Sequence, residues 1–348
     1  MAYTVHVAQS DITFDCVEGM TILDAAKNAG YELPYSCRSG ICGSCKGKLL
    51  SGSADMPGSS ETLSREERDA GYTLFCQARP ISDIEIGPRS ITKLDPNAHK
   101  TVDAKVYRVT RVTDDVSLVQ LRFPAGTRVK FKAGQYLQVL MQDGARRSYS
   151  MANPPHQSDG VQLHIRHVPG GRFTGYLESG IAPGDVVRLE LPFGDFWLRE
   201  TSDRPLIFVA SGTGFAPIKS ILEDMFKRGK PSMPIRLYWG GRKSKDIYLA
   251  DLPAKWEQQY LNFTFIPVLS EEDNGVARTG FVHRAVMEDF PSLAGHEVYA
   301  CGVPVMINAA RHDFITECGL PPGDFFCDAF VSEPLGPRCD TDDVPAAA

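Results

Sequence analysis

Apolar and polar positions alternate with a period of two at the start of the chain. Tyr3-Thr4-Val5-His6-Val7 and Asp11-Ile12-Thr13-Phe14 read as the arms of a hairpin, because successive side chains of a strand face opposite ways. The period then changes. Ile22, Leu23, Ala25 and Ala26 fall on one face of a helix, with Thr21 as its N-cap and Gly30 as its C-terminal stop. Ile84-Glu85-Ile86 restores the alternation as a closing strand. From about residue 102 to 200 the period of two dominates, most cleanly in Val116 to Phe123, Tyr136 to Met141 and Val161 to Ile165, and Asp143-Gly144 marks a turn. Many short strands with regular turns predict an antiparallel β-barrel. After Arg204 the runs become continuously apolar. Leu206–Ala210, Ile235 to Trp239, Phe263 to Val268 and Val298 to Cys301 alternate with helical stretches, including Ile218 to Lys227 with Gly229 as its stop. Buried strands alternating with helices predict an α/β, doubly wound parallel sheet.

The pattern divides the chain into a small α+β domain over 1–92, a linker over 93–101, a barrel domain over 102–202, a parallel-sheet domain over 203–333 and a tail over 334–348. The linker, with one proline and mixed charges, is expected to be a moderately flexible tether, and the tail to fray. Composition adds exclusions. The 348 residues are 43% hydrophobic and 23% charged, ordinary for a globular protein. A net charge of −6 argues against a nucleic-acid partner. No apolar run is long enough to span a bilayer, and the N-terminus lacks the basic and apolar regions of a signal peptide. A cytoplasmic protein without a membrane partner is the expectation.

Nine cysteines change the picture most. Cys37, Cys42, Cys45 and Cys76 are spaced C-x4-C-x2-C, a long gap, then C, the plant-type [2Fe–2S] pattern. Two irons bridged by two sulfides need four thiolates within a few ångströms. A short loop supplies three, and the fourth comes from a segment that folds back. Gly40 and Gly43 let the loop curl and aim amide N–H groups at sulfur. Zinc sites favour paired C-x2-C knuckles, and Cys76 has no nearby cysteine or histidine. Hairpin, helix, cluster loop and return strand suit a β-grasp ferredoxin. Cys16, Cys318, Cys327 and Cys339 fit no such pattern and read as reduced thiols.

Arg147-Ser148-Tyr149-Ser150 follows the Asp143-Gly144 turn, and at this point the chain resembles the ferredoxin-NADP reductase superfamily, whose flavin motif is R-x-Y-S. The resemblance implies that Tyr149 packs on the isoalloxazine, Ser150 hydrogen-bonds near N5 and Arg147 meets the pyrophosphate. Gly170-Gly171-Arg172-Phe173-Thr174 follows the strand carrying His164 and Arg166. Its glycines and the first N–H groups of a helix suit a phosphate, and the resemblance assigns it to the flavin pyrophosphate. The bland alternative is a turn followed by an N-cap. Gly212-Thr213-Gly214-Phe215-Ala216-Pro217 opens a helix after Leu206–Ala210. Pro217 replaces the third glycine of a dinucleotide fingerprint and suits the first helical position. In the superfamily this loop receives the nicotinamide dinucleotide. Cys301, Gly302 and Pro304 match the family's C-G-x-P, whose cysteine lies beside nicotinamide C4, where it would help position the ring. Phe330 matches the terminal aromatic that covers the flavin. Asp328 stands where many relatives carry Glu, which puts a proton-relay role in doubt. Ser270 is followed by Glu271, Glu272 and Asp273, which would repel a 2′-phosphate and favour NADH. Arg242, Lys243 and Lys245 pull the other way.

The ordered set resembles the reductase components of bacterial ring-hydroxylating and other multicomponent oxygenases. Arg147 through Pro155 and His164 through Phe173 look similar to terephthalate dioxygenase reductases. The resemblance implies electron transfer from NAD(P)H through FAD and a [2Fe–2S] cluster to a terminal oxygenase or its ferredoxin. The donor of a hydroxylase or of a sugar-deoxygenating enzyme shares this architecture. A general diaphorase would not need the four cysteines, and a non-catalytic redox sensor would not need the flavin and nicotinamide loops.

Overall fold

The computed structural model describes residues 1–56, 62–95, 97–199, 203–229 and 232–331. The expected tail over 334–348 and Cys339 lie outside these. Three large sheets follow one another along the chain, each with its own core.

The first sheet has five strands in the order Thr13–Val17, Ala2–Val7, Ile84–Pro88, Lys46–Ser51, Tyr72–Leu74. Ala2–Val7 pairs antiparallel with Thr13–Val17 and parallel with Ile84–Pro88. The helix Ile22–Asn28 is capped by Thr21, whose side chain accepts from the Asp24 N–H. Its apolar face, Ile22, Leu23, Ala25 and Ala26, packs on Val5, Phe14, Leu74 and Ile86. Burial of a side chain the size of Ile22 contributes roughly 1.5–3 kcal/mol. The helix ends at Ala29, and Gly30, one residue further, takes the left-handed turn at φ +82°. This ordering fixes the loop 36–45 that carries three of the four cysteines.

The expected tether is not free. Thr92–Lys93 pairs with Tyr31–Glu32, and the Leu94 N–H donates to the Gly30 carbonyl. At the far end the His99 ring stacks on Phe193 at 4.1 Å, and its Nδ1 lies 2.6 Å from the Pro192 carbonyl. Strand pairing and an aromatic stack supply here what the local sequence does not advertise.

The second sheet is antiparallel, in the order Arg146–Ser150, Tyr136–Leu140, Val186–Phe193, Lys100–Arg111, Val116–Arg122, Gly160–Arg166. An antiparallel bridge between Met151 and Leu163 joins its two ends, which closes a barrel. The Asp143-Gly144 turn forms as expected. The Ala145 N–H donates to the Asp143 carboxylate, and Gly144 sits at φ +81°.

The third sheet is wholly parallel, in the order Arg278–Thr279, Phe263–Leu269, Ile235–Gly241, Leu206–Ser211, Glu297–Gly302, Phe325–Ala329. The helices Phe215–Arg228 and Asp251–Gln259 cover one face, Val282–Asp289 and Pro304–Thr316 the other. The first of these helices begins three residues before the expected Ile218. Pro217 is therefore the third helical residue, not the first. It is still tolerated, because no N–H of the first turn has an intrahelical acceptor. The chain runs outward from Leu206–Ser211 to one edge and returns to its other side at Glu297–Gly302. The carboxyl ends of these two strands form the topological switch point, where such sheets bind ligands.

Candidate functional site

Residues 37–45 form the cluster loop. Gly40 and Gly43 both sit at positive φ, +81° and +76°, which lets the chain wrap inward. The Ser39 and Cys42 N–H groups donate to Cys37 Sγ at 3.4 and 3.2 Å, and the Cys37 N–H donates to Cys42 Sγ at 3.4 Å. Cys37 and Cys42 are thus tied to each other by reciprocal backbone donors, and Cys45 and Cys76 lie together in the core of the first domain. Each iron of a [2Fe–2S] centre asks for two thiolates, so the donor set fits the cluster. Among the described residues no three His, Cys, Asp or Glu side chains converge as ligands of one ion. The Cys42 thiol and the N–H donors of this loop hold Cys37 well below an ordinary thiol. Cys42 is pushed up, first by sharing its proton with Cys37 and then by burial.

The flavin-side residues gather at one end of the barrel. Ser150 is buried, and its hydroxyl has no hydrogen-bond partner within the protein, which fits a group that bonds a ligand atom. Tyr149 is half-buried, and its ring centroid lies 5.4 Å from that of Phe173. Arg147 is half-buried and Ser148 exposed. Thr174 does not cap the next helix. That helix, Arg172–Glu178, starts from Gly171, and Thr174 Oγ1 donates back to the carbonyls of Val168 and Gly171. The threonine hydroxyl shapes the turn, leaving the backbone N–H groups for an anion. Gly170 sits at φ +72°, and the exposed Arg172 pairs with Asp143.

His164 and Arg166 face the third domain. His164 is buried, its Nδ1 lies 2.9 Å from the Tyr248 hydroxyl, and its Nε2 has no partner. Burial, aided by Lys219, depresses its pKa to about 3, so the ring is neutral. Arg166 pairs with Asp115 at 2.6 Å and lies against Gly212, where a Cβ would come within 2.9 Å of its guanidinium. Lys245 reaches across to Asp114 at 2.8 Å.

At the switch point Gly214 and Gly302 allow a backbone approach that no side chain permits. A Cβ on Gly214 would lie 2.1 Å from the Cys301 carbonyl, and one on Gly302 2.0 Å from Ser211 Oγ. Thr213, Gly214, Ala216 and Pro217 are buried beside the fully buried Cys301. Burial pushes the Cys301 thiol far up, with Asp328 adding to it. Val303 is exposed, Pro304 begins the next helix, and the Phe330 N–H donates to the Gly302 carbonyl. The Phe330 ring packs half-buried at the edge of this core.

Glu271 and Ser270 are exposed, and the Glu271 N–H donates to the Arg242 carbonyl. The two loops therefore touch. Glu272, not Glu271, accepts from the Ser244 N–H at 3.0 Å and from its hydroxyl. The exposed Arg242 lies 3.8 Å from Asp246.

The sites join at Ser36, a residue with no motif to flag it. Its hydroxyl donates to Asp328 Oδ1 at 2.8 Å, and its carbonyl accepts from the Tyr136 hydroxyl at 3.3 Å. One residue before Cys37, the ferredoxin, barrel and parallel-sheet domains thus touch. Asp328 is buried, which raises its carboxyl to about 7 against the opposing pull of the Ser36 bond.

Comparison with known proteins defines the class first. Residues 5–80 match the 2Fe-2S iron-sulfur cluster binding domain, residues 103–197 the oxidoreductase FAD-binding domain, and residues 208–312 the oxidoreductase NAD-binding domain. The chain belongs to the iron–sulfur flavoprotein reductases of the ferredoxin-NADP reductase superfamily, and it is an NAD(P)H-dependent oxidoreductase that uses FAD and a [2Fe–2S] cluster. Among its relatives is terephthalate 1,2-dioxygenase, reductase component 1, of Comamonas sp. The two are 44% identical over 342 residues, 97% of this chain and 99% of the relative. The CDP-6-deoxy-L-threo-D-glycero-4-hexulose-3-dehydrase reductase of Yersinia pseudotuberculosis is 37% identical over 95% of this chain and 99% of its own. The crystal structure of an Amycolatopsis cytochrome P450 reductase superposes with a TM-score of 0.72 at 35% identity, covering 94% of this chain and 98% of its own.

Proposed function

We propose that this chain is the reductase component of an aromatic ring-hydroxylating dioxygenase system of the terephthalate type, acting in the cytoplasm. Its partner in this reading is the terminal oxygenase or that oxygenase's ferredoxin. The observation that carries it is the junction at Ser36, where the cluster loop meets both the barrel and the strand that ends at Ala329. A general diaphorase has no use for a cluster docked there. The 44% relative supports the aromatic system, and the Yersinia relative keeps a sugar-deoxygenating system as the second reading. No helix among the described residues is long and apolar enough to cross a membrane.

In this reading Cys37, Cys42, Cys45 and Cys76 hold the cluster. Tyr149 packs on the flavin ring, Ser150 offers its unpartnered hydroxyl near N5, and Arg147 with the Gly170-Gly171 turn meets the pyrophosphate. The Gly212–Pro217 loop takes the dinucleotide phosphates at a helix N-terminus. Cys301 shapes the nicotinamide pocket, and Phe330 guards the flavin face. When bound, the cofactors convert a two-electron hydride donor into single-electron deliveries. The protein's share is to align the three and keep water out. Asp328 fits an anchor of the cluster loop better than a proton relay, because Ser36 occupies it.

The test is reconstitution. The purified chain, with NADH and a terephthalate-type oxygenase, is expected to support hydroxylation of the aromatic diacid in step with NADH consumption. Support of a sugar dehydrase and none of any ring-hydroxylating oxygenase selects the second reading.

A further inference from the structure

Arg311 belongs to none of the sites above. It lies on the helix Pro304–Thr316 of the parallel-sheet domain, is 9% exposed, and reaches the cluster loop some 270 residues earlier in the chain. Its Nη1 donates to the Ile41 carbonyl at 2.7 Å. Its Nη2 donates to the Cys42 carbonyl at 2.9 Å and to Cys327 Sγ at 2.9 Å. The Cys327 thiol in turn donates to the Cys42 carbonyl at 3.3 Å. Ile41, Cys37 and Cys42 pack with Met306, Ile307 and Ala310 in one apolar cluster, so the clamp closes over an apolar interface. The guanidinium also lies over the Phe325 ring.

Among the described residues no carboxylate pairs with Arg311. Buried cations are rarely left so, because desolvating a charge is costly unless an opposite charge repays it. Two ferric irons, two sulfides and four thiolates carry net negative charge, which supplies the missing counterion.

We propose that Arg311 is a positioning residue: its planar fork docks the Ile41–Cys42 backbone against the nicotinamide domain, and its permanent charge stabilises the reduced cluster. The fork explains why two carbonyls on successive residues are held at once, which an ammonium point charge does less well. The proposal rests on Cys42 as a cluster ligand, which iron and sulfide analysis of the wild type tests separately.

The experiment uses the full-length, cluster-loaded protein. Arg311→Met is expected to lower the cluster midpoint, read by EPR-monitored redox titration, by the equivalent of about a tenfold change in the one-electron equilibrium, about 59 mV. Flavin-to-cluster transfer in stopped flow should slow at least tenfold, while flavin reduction by NADH stays within twofold. Arg311→Lys should restore the midpoint and leave the transfer slow. An unchanged midpoint in Arg311→Met, or equal loss of flavin reduction and cluster reduction, overturns the proposal. If Arg311→Met does not take up the cluster, Arg311→Lys decides. A wild-type transfer rate refutes the docking role, and a slow transfer at wild-type midpoint supports it.

Discussion

Replacing Glu271 by Arg should narrow the preference for NADH over NADPH. Two loops meet where the adenosine ribose is expected, and they carry opposite charges. On one side Glu271 is exposed and Glu272 holds the Ser244 N–H and hydroxyl. A 2′-phosphate seeking that amide would find a carboxylate in its place. On the other side stand Arg242, Lys243 and Lys245, but Lys245 is already paired with Asp114, and Arg242 lies beside Asp246. The anions are thus better placed to repel than the cations to attract. Two like charges about 4 Å apart cost roughly 1 kcal/mol in water and roughly 4 kcal/mol at an effective dielectric of 20. The exposure of Glu271 puts the value near the lower end, which is about a fivefold preference. The assay is kcat/KM for the two nucleotides in flavin reduction. The wild type should prefer NADH by about fivefold or more, and Glu271→Arg should bring the ratio several-fold closer to one. A wild type that prefers NADPH would show that Arg242 and Lys243 govern the site and that the acidic loop lies elsewhere.

The purified protein should be red-brown with about two irons and two sulfides per chain, the stoichiometry of one cluster; Cys42→Ser should lose both while keeping flavin. A colourless zinc-loaded protein prepared without oxygen refutes the ligand assignment. In the same variant, stopped flow should show near-normal reduction of flavin by NADH and no electron delivery to a protein acceptor, whereas equal loss of both contradicts the assigned order of carriers. Acid extraction should release FAD, and stoichiometric FMN would overturn the pyrophosphate role of Arg147 and the Gly170-Gly171 turn. Asp328, raised to about 7 by burial, costs nothing below pH 4, where both states are protonated, and destabilises the fold progressively from pH 4 until the loss is complete near pH 7. The full penalty is about 4 kcal/mol, from roughly three pH units at about 1.4 kcal/mol each. Asp328→Asn should therefore match the wild type in thermal stability near pH 4 and exceed it at pH 8, and a gap independent of pH refutes the buried charge.

What could be read from the sequence was local. The cysteine loop, the Arg147–Ser150 strand, the glycine loop after Leu206–Ser211 and the Cys301-Gly302 strand end are each a few residues whose chemistry depends on close spacing. Where the reading slipped, tertiary context had overruled a local rule. The turn Gly170 to Thr174 reads as a phosphate site that includes the threonine, but the Thr174 hydroxyl turns back on the Val168 carbonyl, and the helix starts from Gly171. The helix after the glycine loop begins at Phe215 because a short 3₁₀ turn over Gly212–Gly214 feeds directly into it. The linker carried no periodicity, yet its ends are held by strand pairing and by the His99–Phe193 stack.

What could not be read was the junction. Ser36, Tyr136, Arg311 and Cys327 belong to no motif, and each meets its partner across a separation of about 100 residues or more. Cys327 is the reduced thiol the sequence promised, but it is also a donor to the cluster loop. A single chain gives no signal for such pairs, because nothing local distinguishes a buried arginine that docks a domain from one that lines a surface. Electron transfer needs that junction as well as the motifs. The motifs are local, whereas the contacts among Ser36, Tyr136, Asp328 and Arg311, together with the His164–Tyr248 and Lys245–Asp114 pairs, set how the three domains stand to one another.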